Sequence, residues 1–309
     1  MDKIPIILDC DTGVDDAIAI MLANKVENFD LLGITTVAGN VEVDKTTRNT
    51  LRVLELIEAD IPVYKGAARP LFGDQITAEA VHGKDGLGGV DLPLHRSEVP
   101  NISAWDAIYR EAVSFNGALE LIAVGPLTNL ATAFIKYRDL PEYINRIVIM
   151  GGSATSGNVT PAAEFNIYAD PEAADIVFTS GVPVYMCGLD VTMQAYFTSI
   201  DLEHVAALGS KPAHFFRDVM QGVLSYCLDF DQQGVSLHDP LTVLYAADDS
   251  IFNTHHVGIR VETKGFLTRG KTVTDLYSDK KMEHNAYIVT DVDREVFQER
   301  VFNLMADYG

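Results

Sequence analysis

The sequence predicts an α/β chain: a single large domain around a mainly parallel, doubly wound (Rossmann-like) sheet, with helices added toward its C-terminus. Three observations carry this. Short runs rich in Ile, Val and Leu alternate with helix-period patterns. The runs are continuously apolar, as strands covered on both faces are. No composition break, linker, low-complexity tract or internal repeat divides residues 1–309, so they read as one domain.

In chain order, the expected strands are Ile4–Leu8, Leu31–Val37, Ile61–Tyr64, Leu119–Val124, Ile147–Met150 and Val182–Met186. The expected helices between them are Asp15–Ala23, Val43–Ala59, Ser103–Phe115, Asn129–Tyr137 and Pro171–Thr179. Strand-then-helix repetition makes parallel neighbours through right-handed crossovers. The last third adds helices at Leu202–Leu208 and Pro212–Leu228, apolar runs at Val257–Val261 and Ala286–Val289, and a closing helix over Val296–Met305. Open parallel sheets bind ligands in the crevice beyond the carboxyl ends of their strands. Polar and glycine residues collect at those ends in DCDTGVDD (Asp9–Asp16), AGN (Ala38–Asn40), VGPLTN (Val124–Asn129), MGGSATSGNVTPAAEFN (Met150–Asn166) and CGLDVT (Cys187–Thr192). Five loops distant in sequence therefore converge on one crevice.

With 48% hydrophobic residues the chain can bury a sizeable core. Its 23 basic and 44 acidic residues give a net charge of −21. Such a surface repels phosphate backbones and anionic lipid, which argues against nucleic acid polymers and membranes as partners. A metal ion or a small neutral ligand is compatible with it. Cys10, Cys187 and Cys227 are far apart and odd in number, which reads as reduced thiols in a cytoplasmic protein. The start MDKIPIILDC lacks the pattern of a signal peptide, and no run has the roughly 18 apolar residues of a membrane span.

Asp9, Asp11, Asp15 and Asp16 place four carboxylates at the end of a buried strand. Such a cluster repels itself unless a cation neutralises it. An all-oxygen set favours calcium, magnesium or manganese over zinc. Helix capping before Ala17-Ile18-Ala19-Ile20 explains one or two of the four, not all. The ligand spacing of an EF-hand is missing. LHDP (Leu237–Pro240) reads two ways: a helix start with Pro240 at the first helical position, or, beside the cluster, a metal ligand in Asp239 and a proton donor in His238. Glu164 and Asn166 lie two apart in PAAEFNIYADPEAA (Pro161–Ala174), so an extended segment would turn both toward a polyol. The alternative is an ordinary polar loop before a helix near Pro171. GGSATSGN lacks the Gly-Lys-Ser/Thr ending of a phosphate-binding loop. His82, in VHGKDGLGG, belongs to a long loop that reads either as a binding segment or as exposed surface.

The segments DCDTGVDDA, TTVAGN, VHGKDGLGG, GPLTNLA, IVIMGG, PAAEFNIYADPEAA, GLDVT and LHDP occur in the order found in the nucleoside hydrolase family. Over nearly its whole length the chain resembles the inosine-uridine-preferring members. The resemblance implies a single α/β domain, a catalytic calcium ion, a small-molecule ribonucleoside substrate and a homodimer or homotetramer. It implies that Asp11, Asp16 and Asp239, with the backbone carbonyl of Val124, bind the calcium. Asp11 also resembles the general base on the attacking water. Asp15, Asn40, Met150, Asn158, Glu164 and Asn166 match positions around the water and the ribose, and His238 matches the histidine near the leaving base. Asp9 is expected to support the ligands from behind. The loops around His82 and Tyr226 are expected to set base preference. Thr12 departs from a common proline, and Val124 is a departure that a backbone ligand tolerates. The lone tryptophan, Trp105, lies in an expected helix far from the strand ends, which disfavours a tryptophan sandwich on the base.

The implied chemistry passes through an oxocarbenium-like state at the ribosyl anomeric carbon. Two rival readings have other origins. D-x-D-T also fits a haloacid dehalogenase-type phosphatase, although GLDVT is a poor second acidic motif and no lysine has the required context. A non-catalytic nucleoside- or metal-binding protein would keep the fold and lose the chemistry.

Overall fold

The computed structural model describes residues 3–93, 98–228, 233–277 and 282–309. The strands are β1 (Ile4–Cys10), β2 (Phe29–Thr36), β3 (Val63–Lys65), β4 (Leu119–Ala123), β5 (Ile144–Met150), β6 (Val184–Cys187), β7 (Tyr196–Phe197), β8 (Val235–Ser236), β9 (Phe252–Val261), β10 (Thr272–Asp275) and β11 (Ala286–Val292). The α-helices are α1 (Val14–Lys25), α2 (Val43–Leu56), α3 (Glu79–His82), α4 (Ala104–Phe115), α5 (Thr128–Lys136), α6 (Phe165–Ala169), α7 (Pro171–Phe178), α8 (Leu189–Thr192), α9 (Ser199–Ala206), α10 (Lys211–Leu228), α11 (His238–Ala247) and α12 (Arg294–Ala306). Among the described residues, none of these helices is long and apolar enough to cross a membrane.

Nine strands form one sheet in the order β10-β9-β11-β6-β5-β4-β1-β2-β3. From β3 to β11 the strands run parallel, and β9 is antiparallel to both its neighbours. The last strand, β11, inserts between β6 and β9. Alternate side chains of β1 feed two cores: Ile6, Leu8 and Cys10 pack with residues of α1, α10 and α11, and Ile7 packs with residues of α4, α5 and α7. Both faces are therefore covered, which is why the strands read as continuous apolar runs. Helix α1 is apolar almost all round, with Ala17–Ala23 buried, and it is enclosed by α11, α2, α12 and α10.

The expected α/β sheet is present, and the apolar runs near Val257 and Ala286 are strands of it. Three expectations need correction. Helix α2 stops at Leu56 rather than Ala59, because Glu58 takes a left-handed φ of 53° and the Ala59 N–H turns back to Leu54 O. Edge strand β10 and the antiparallel ribbon β7–β8 were not foreseen. They are too short, at four and two residues, for a period-2 pattern to register.

From β1 the chain moves outward through β2 and β3 and returns on the other side of β1 at β4. The order thus reverses between β1 and β4, and a crevice opens at their carboxyl ends.

Candidate active site

A cavity of about 830 Å³ lies over this switch point. Its floor is the segment joining β1 to α1. Asp16, in the first turn of α1, accepts the Gly13 N–H (2.9 Å) and the Asp11 N–H (3.0 Å), which folds the segment back on itself. The Asn40 side chain donates to the same Asp16 carboxylate (3.0 Å), and the Asn40 N–H donates to Asp11 Oδ2 (2.6 Å). Asp11 and Asp16 are fully buried. Asp11 Oδ1 and Asp9 Oδ2 are buried without a hydrogen-bond partner. Asp9 Oδ1 accepts from Thr35 Oγ1 (2.5 Å) and Asn129 Nδ2 (2.7 Å), so Asp9 ties β1 to β2 and α5 from behind.

Two loops at the carboxyl ends of β2 and β4 close tightly on Asp11. A Cβ at Gly39 would sit 2.8 Å from Asp11 Cγ, and one at Gly125 would sit 2.6 Å from Asp11 Oδ1. Only glycine admits the carboxylate there.

Asp239 reaches the floor from the start of α11. One carboxylate oxygen each from Asp15, Asp16 and Asp239 lies within 4.8 Å of the other two. Ribbon β7–β8 aims this segment, since the Leu237 N–H bonds Ala195 O (2.9 Å) just before His238. His238 Nδ1 is 2.7 Å from Thr192 Oγ1. Across the cavity, His82 is buried and its Nδ1 accepts the Val14 N–H (3.1 Å), one of the unpaired donors opening α1.

Glu164 caps α6 through the Asn166 and Ile167 N–H groups and also accepts the Gly152 N–H (2.8 Å). Asn166 Nδ2 donates to Val124 O (2.8 Å) and Met150 O (3.1 Å), linking the ends of β4 and β5. Asn158 Oδ1 accepts the Phe165 N–H (2.9 Å), closing the loop that began at Gly151.

Burial dominates the electrostatics. It pushes the Asp11 and Asp239 carboxyls well above the usual range, and neighbouring carboxylates add to this. Asp15 rises to about 6, through burial and then the charge of Asp16. Asp9 and Glu164 rise to about 7 through burial, against the hydrogen bonds that hold their charged forms. Burial lowers His82 to about 4, helped by His238, and lowers His238 against the pull of Asp15. Among the described residues lining the cavity none is Lys or Arg. A bound cation would supply the missing counter-charge. A second cavity, about 620 Å³, lies by Pro183 and Asn285 at the amino ends of β6 and β11 and holds none of this cluster.

Residues 6–299 match the family model of the inosine-uridine preferring nucleoside hydrolases. The chain belongs to that family. It is 43% identical to the pyrimidine-specific ribonucleoside hydrolase RihA of Salmonella arizonae, over 99% of each chain. Among solved structures it resembles the plant nucleoside hydrolase PpNRh1 (TM-score 0.92, 33% identity, 98% of both chains). It also resembles the purine-preferring ribonucleoside hydrolase of Gardnerella vaginalis (TM-score 0.91, 33% identity, 98% of this chain and 99% of that one). The chain is therefore a ribonucleoside hydrolase, an enzyme acting on N-glycosyl compounds, and the phosphatase reading of D-x-D-T falls away.

For a nucleoside hydrolase of this sequence, the residues singled out beforehand converge. Asp15, Asn40, His82, Val124, Met150, Asn158, Glu164, Asn166, His238 and Asp239 line the cavity, above Asp11 and Asp16. One reason given for them was wrong, and two alternative readings are also revised. Glu164 and Asn166 are not in an extended segment but at the cap and first turn of α6. Pro240 is the third residue of α11, not the first. His82 ends a one-turn helix and is buried in the cavity wall, so of its two readings the exposed surface one falls away. Asn129 and Thr192 were missed as partners of Asp9 and His238, although both lie in quoted motifs. Trp105 lies in α4, outside the residues lining the cavity.

Proposed function

We propose that the chain hydrolyses pyrimidine ribonucleosides to ribose and free base, with calcium as its ion. The observation that carries this is the buried set of all-oxygen donors, including the orphaned Asp11 Oδ1, with no Lys or Arg among the described residues lining the cavity. That set fits a hard cation. Asp11, Asp16, Asp239 and the Val124 carbonyl would hold the ion, as the resemblance implies, and the Asp15 carboxylate clusters with those of Asp16 and Asp239. When bound, such an ion acts as a Lewis acid and makes a neighbouring water more acidic.

The chain's own groups supply the rest. Asp11 takes the proton of the attacking water. Asp15, Asn40 and Asn166 meet the ribose hydroxyls, and Glu164 and Asn158 stand further along the sugar. Their oxygens favour the positive charge that builds at the anomeric carbon. Thr192 holds His238 Nδ1, which leaves Nε2 to protonate the departing base. Met193, Met220 and Val223 offer an apolar wall to the base. The pyrimidine preference is supported by the relative of 43% identity, named as pyrimidine-specific.

Free ribose released from uridine, cytidine, inosine and 2′-deoxyuridine, without phosphate, tests the reading together with metal analysis of the purified protein. Uridine and cytidine should be cleaved fastest. The deoxynucleoside should be slower by up to about 10⁴-fold, because polar groups built for the missing hydroxyl are left unpaired. Inosine outpacing uridine overturns the base preference, and one equivalent of another metal overturns calcium.

A further inference from the structure

The loop after β5 carries Thr155, Ser156 and Asn158 into the cavity. Its second half is tied locally, by the Gly157 N–H to Pro161 O and the Asn158 N–H to Ala163 O, whereas Ser153–Thr155 is also held by distant parts of the chain. Gly152 has a φ of +76°, and a Cβ there would sit 2.7 Å from Thr272 Cγ2. The Thr272 hydroxyl accepts the Ser153 N–H and donates to Ser153 O, both at 2.8 Å. The Lys271 ammonium donates to Ser153 O (2.9 Å) and Thr155 O (3.0 Å). From α8, Asp190 accepts the Ala154 N–H (2.7 Å) and the Thr155 hydroxyl (2.8 Å). The same carboxylate also accepts the Ser153 hydroxyl (3.3 Å).

We propose that Lys271 and Thr272, together with Asp190, are positioning residues that set affinity for the nucleoside by clamping the 153–158 loop. The proposal rests on the cavity being the nucleoside site. Without the clamp, Ser153–Thr155 keeps only local bonds such as those of the Thr155 and Ser156 N–H groups to Ser153 Oγ, and small residues such as these pack few side chains against a core to order them. Ordering would then have to be supplied on binding, which weakens affinity for substrate and transition state alike. Such uniform loss raises KM and spares kcat. Edge strand β10 thus acts on a site that belongs to the carboxyl ends of the parallel strands.

The test compares Lys271→Met and Thr272→Val with wild type on uridine, with Lys271→Arg and Thr272→Ser as conservative partners. Thr272→Val keeps the shape and removes both hydrogen bonds of the hydroxyl. Each disruptive variant should raise KM about tenfold with kcat within about threefold, and metal content should not change. Thr272→Ser should restore KM to near the wild-type value, as should Lys271→Arg. Unchanged KM in folded variants overturns the proposal, as does a loss of kcat with KM unaltered. If Thr272→Val does not fold, the Lys271 pair decides alone. Wild-type turnover is the separate check on the site, so a failed clamp and a misassigned cavity give different results.

Discussion

At the scale of single residues, the two cavity histidines have different work, and two measurements separate them. In the proposed mechanism His238 faces the departing base, with Nδ1 held by Thr192. His238→Ala should slow uridine by about 10²–10⁴-fold, the usual worth of a general acid. On 4-nitrophenyl riboside, whose leaving group needs no proton, most activity should survive. Equal losses on both substrates would remove the acid role. His82 instead completes the start of α1 in its neutral form. Its folded pKa is lowered from 6.5 to about 4, so between those values the unfolded chain binds the extra proton. The stability it contributes is full above pH 6.5 and is lost as pH falls toward 4. The shift corresponds to about 3 kcal/mol. In paired chemical-unfolding titrations, the advantage of wild type over His82→Leu should be largest at pH 7 and shrink steadily toward pH 4. An advantage independent of pH would show that His82 is not held neutral.

At the scale of elements, the loops after β2 and β4 each carry a glycine that permits a close approach to Asp11. Gly125→Ala would drive a methyl group into Asp11 Oδ1. Overpacking of this kind costs about 1–3 kcal/mol. The larger effect should fall on catalysis, since the misplaced group is the proposed base: a loss of about 10²-fold or more in kcat. Thermal unfolding and kinetics measured together check this, and near-normal kcat would show that Asp11 tolerates a shift. These loops were legible in the sequence because a buried strand announces itself as an apolar run and its carboxyl end as an abrupt change to Asp, Asn and Gly. Helices α3 and α6 were not legible. A helix of four or five residues is decided by caps such as Glu164 and by tertiary contacts, not by periodicity.

At the scale of the whole molecule, the parallel sheet and its converging loops followed from the order of strands and helices, but pairings across the chain did not. Nothing in Thr272 by itself announces that it meets Ser153, nor in Asn129 that it meets Asp9. Such contacts depend on which strands become neighbours, and that is fixed only when the sheet assembles. The place of β11 between β6 and β9 has a consequence for how the chain is made. A ribosome releases β6 and β9 before the strand that must separate them. Until β11 emerges, each presents an unpaired edge, and antiparallel pairing between the two is a ready wrong solution. Asp239 likewise emerges long after the aspartates of the first loop, so the acidic pocket cannot be completed early in synthesis. Strands β1–β6 can pair as they emerge, but the nine-stranded sheet is completed only once β11 has left the ribosome.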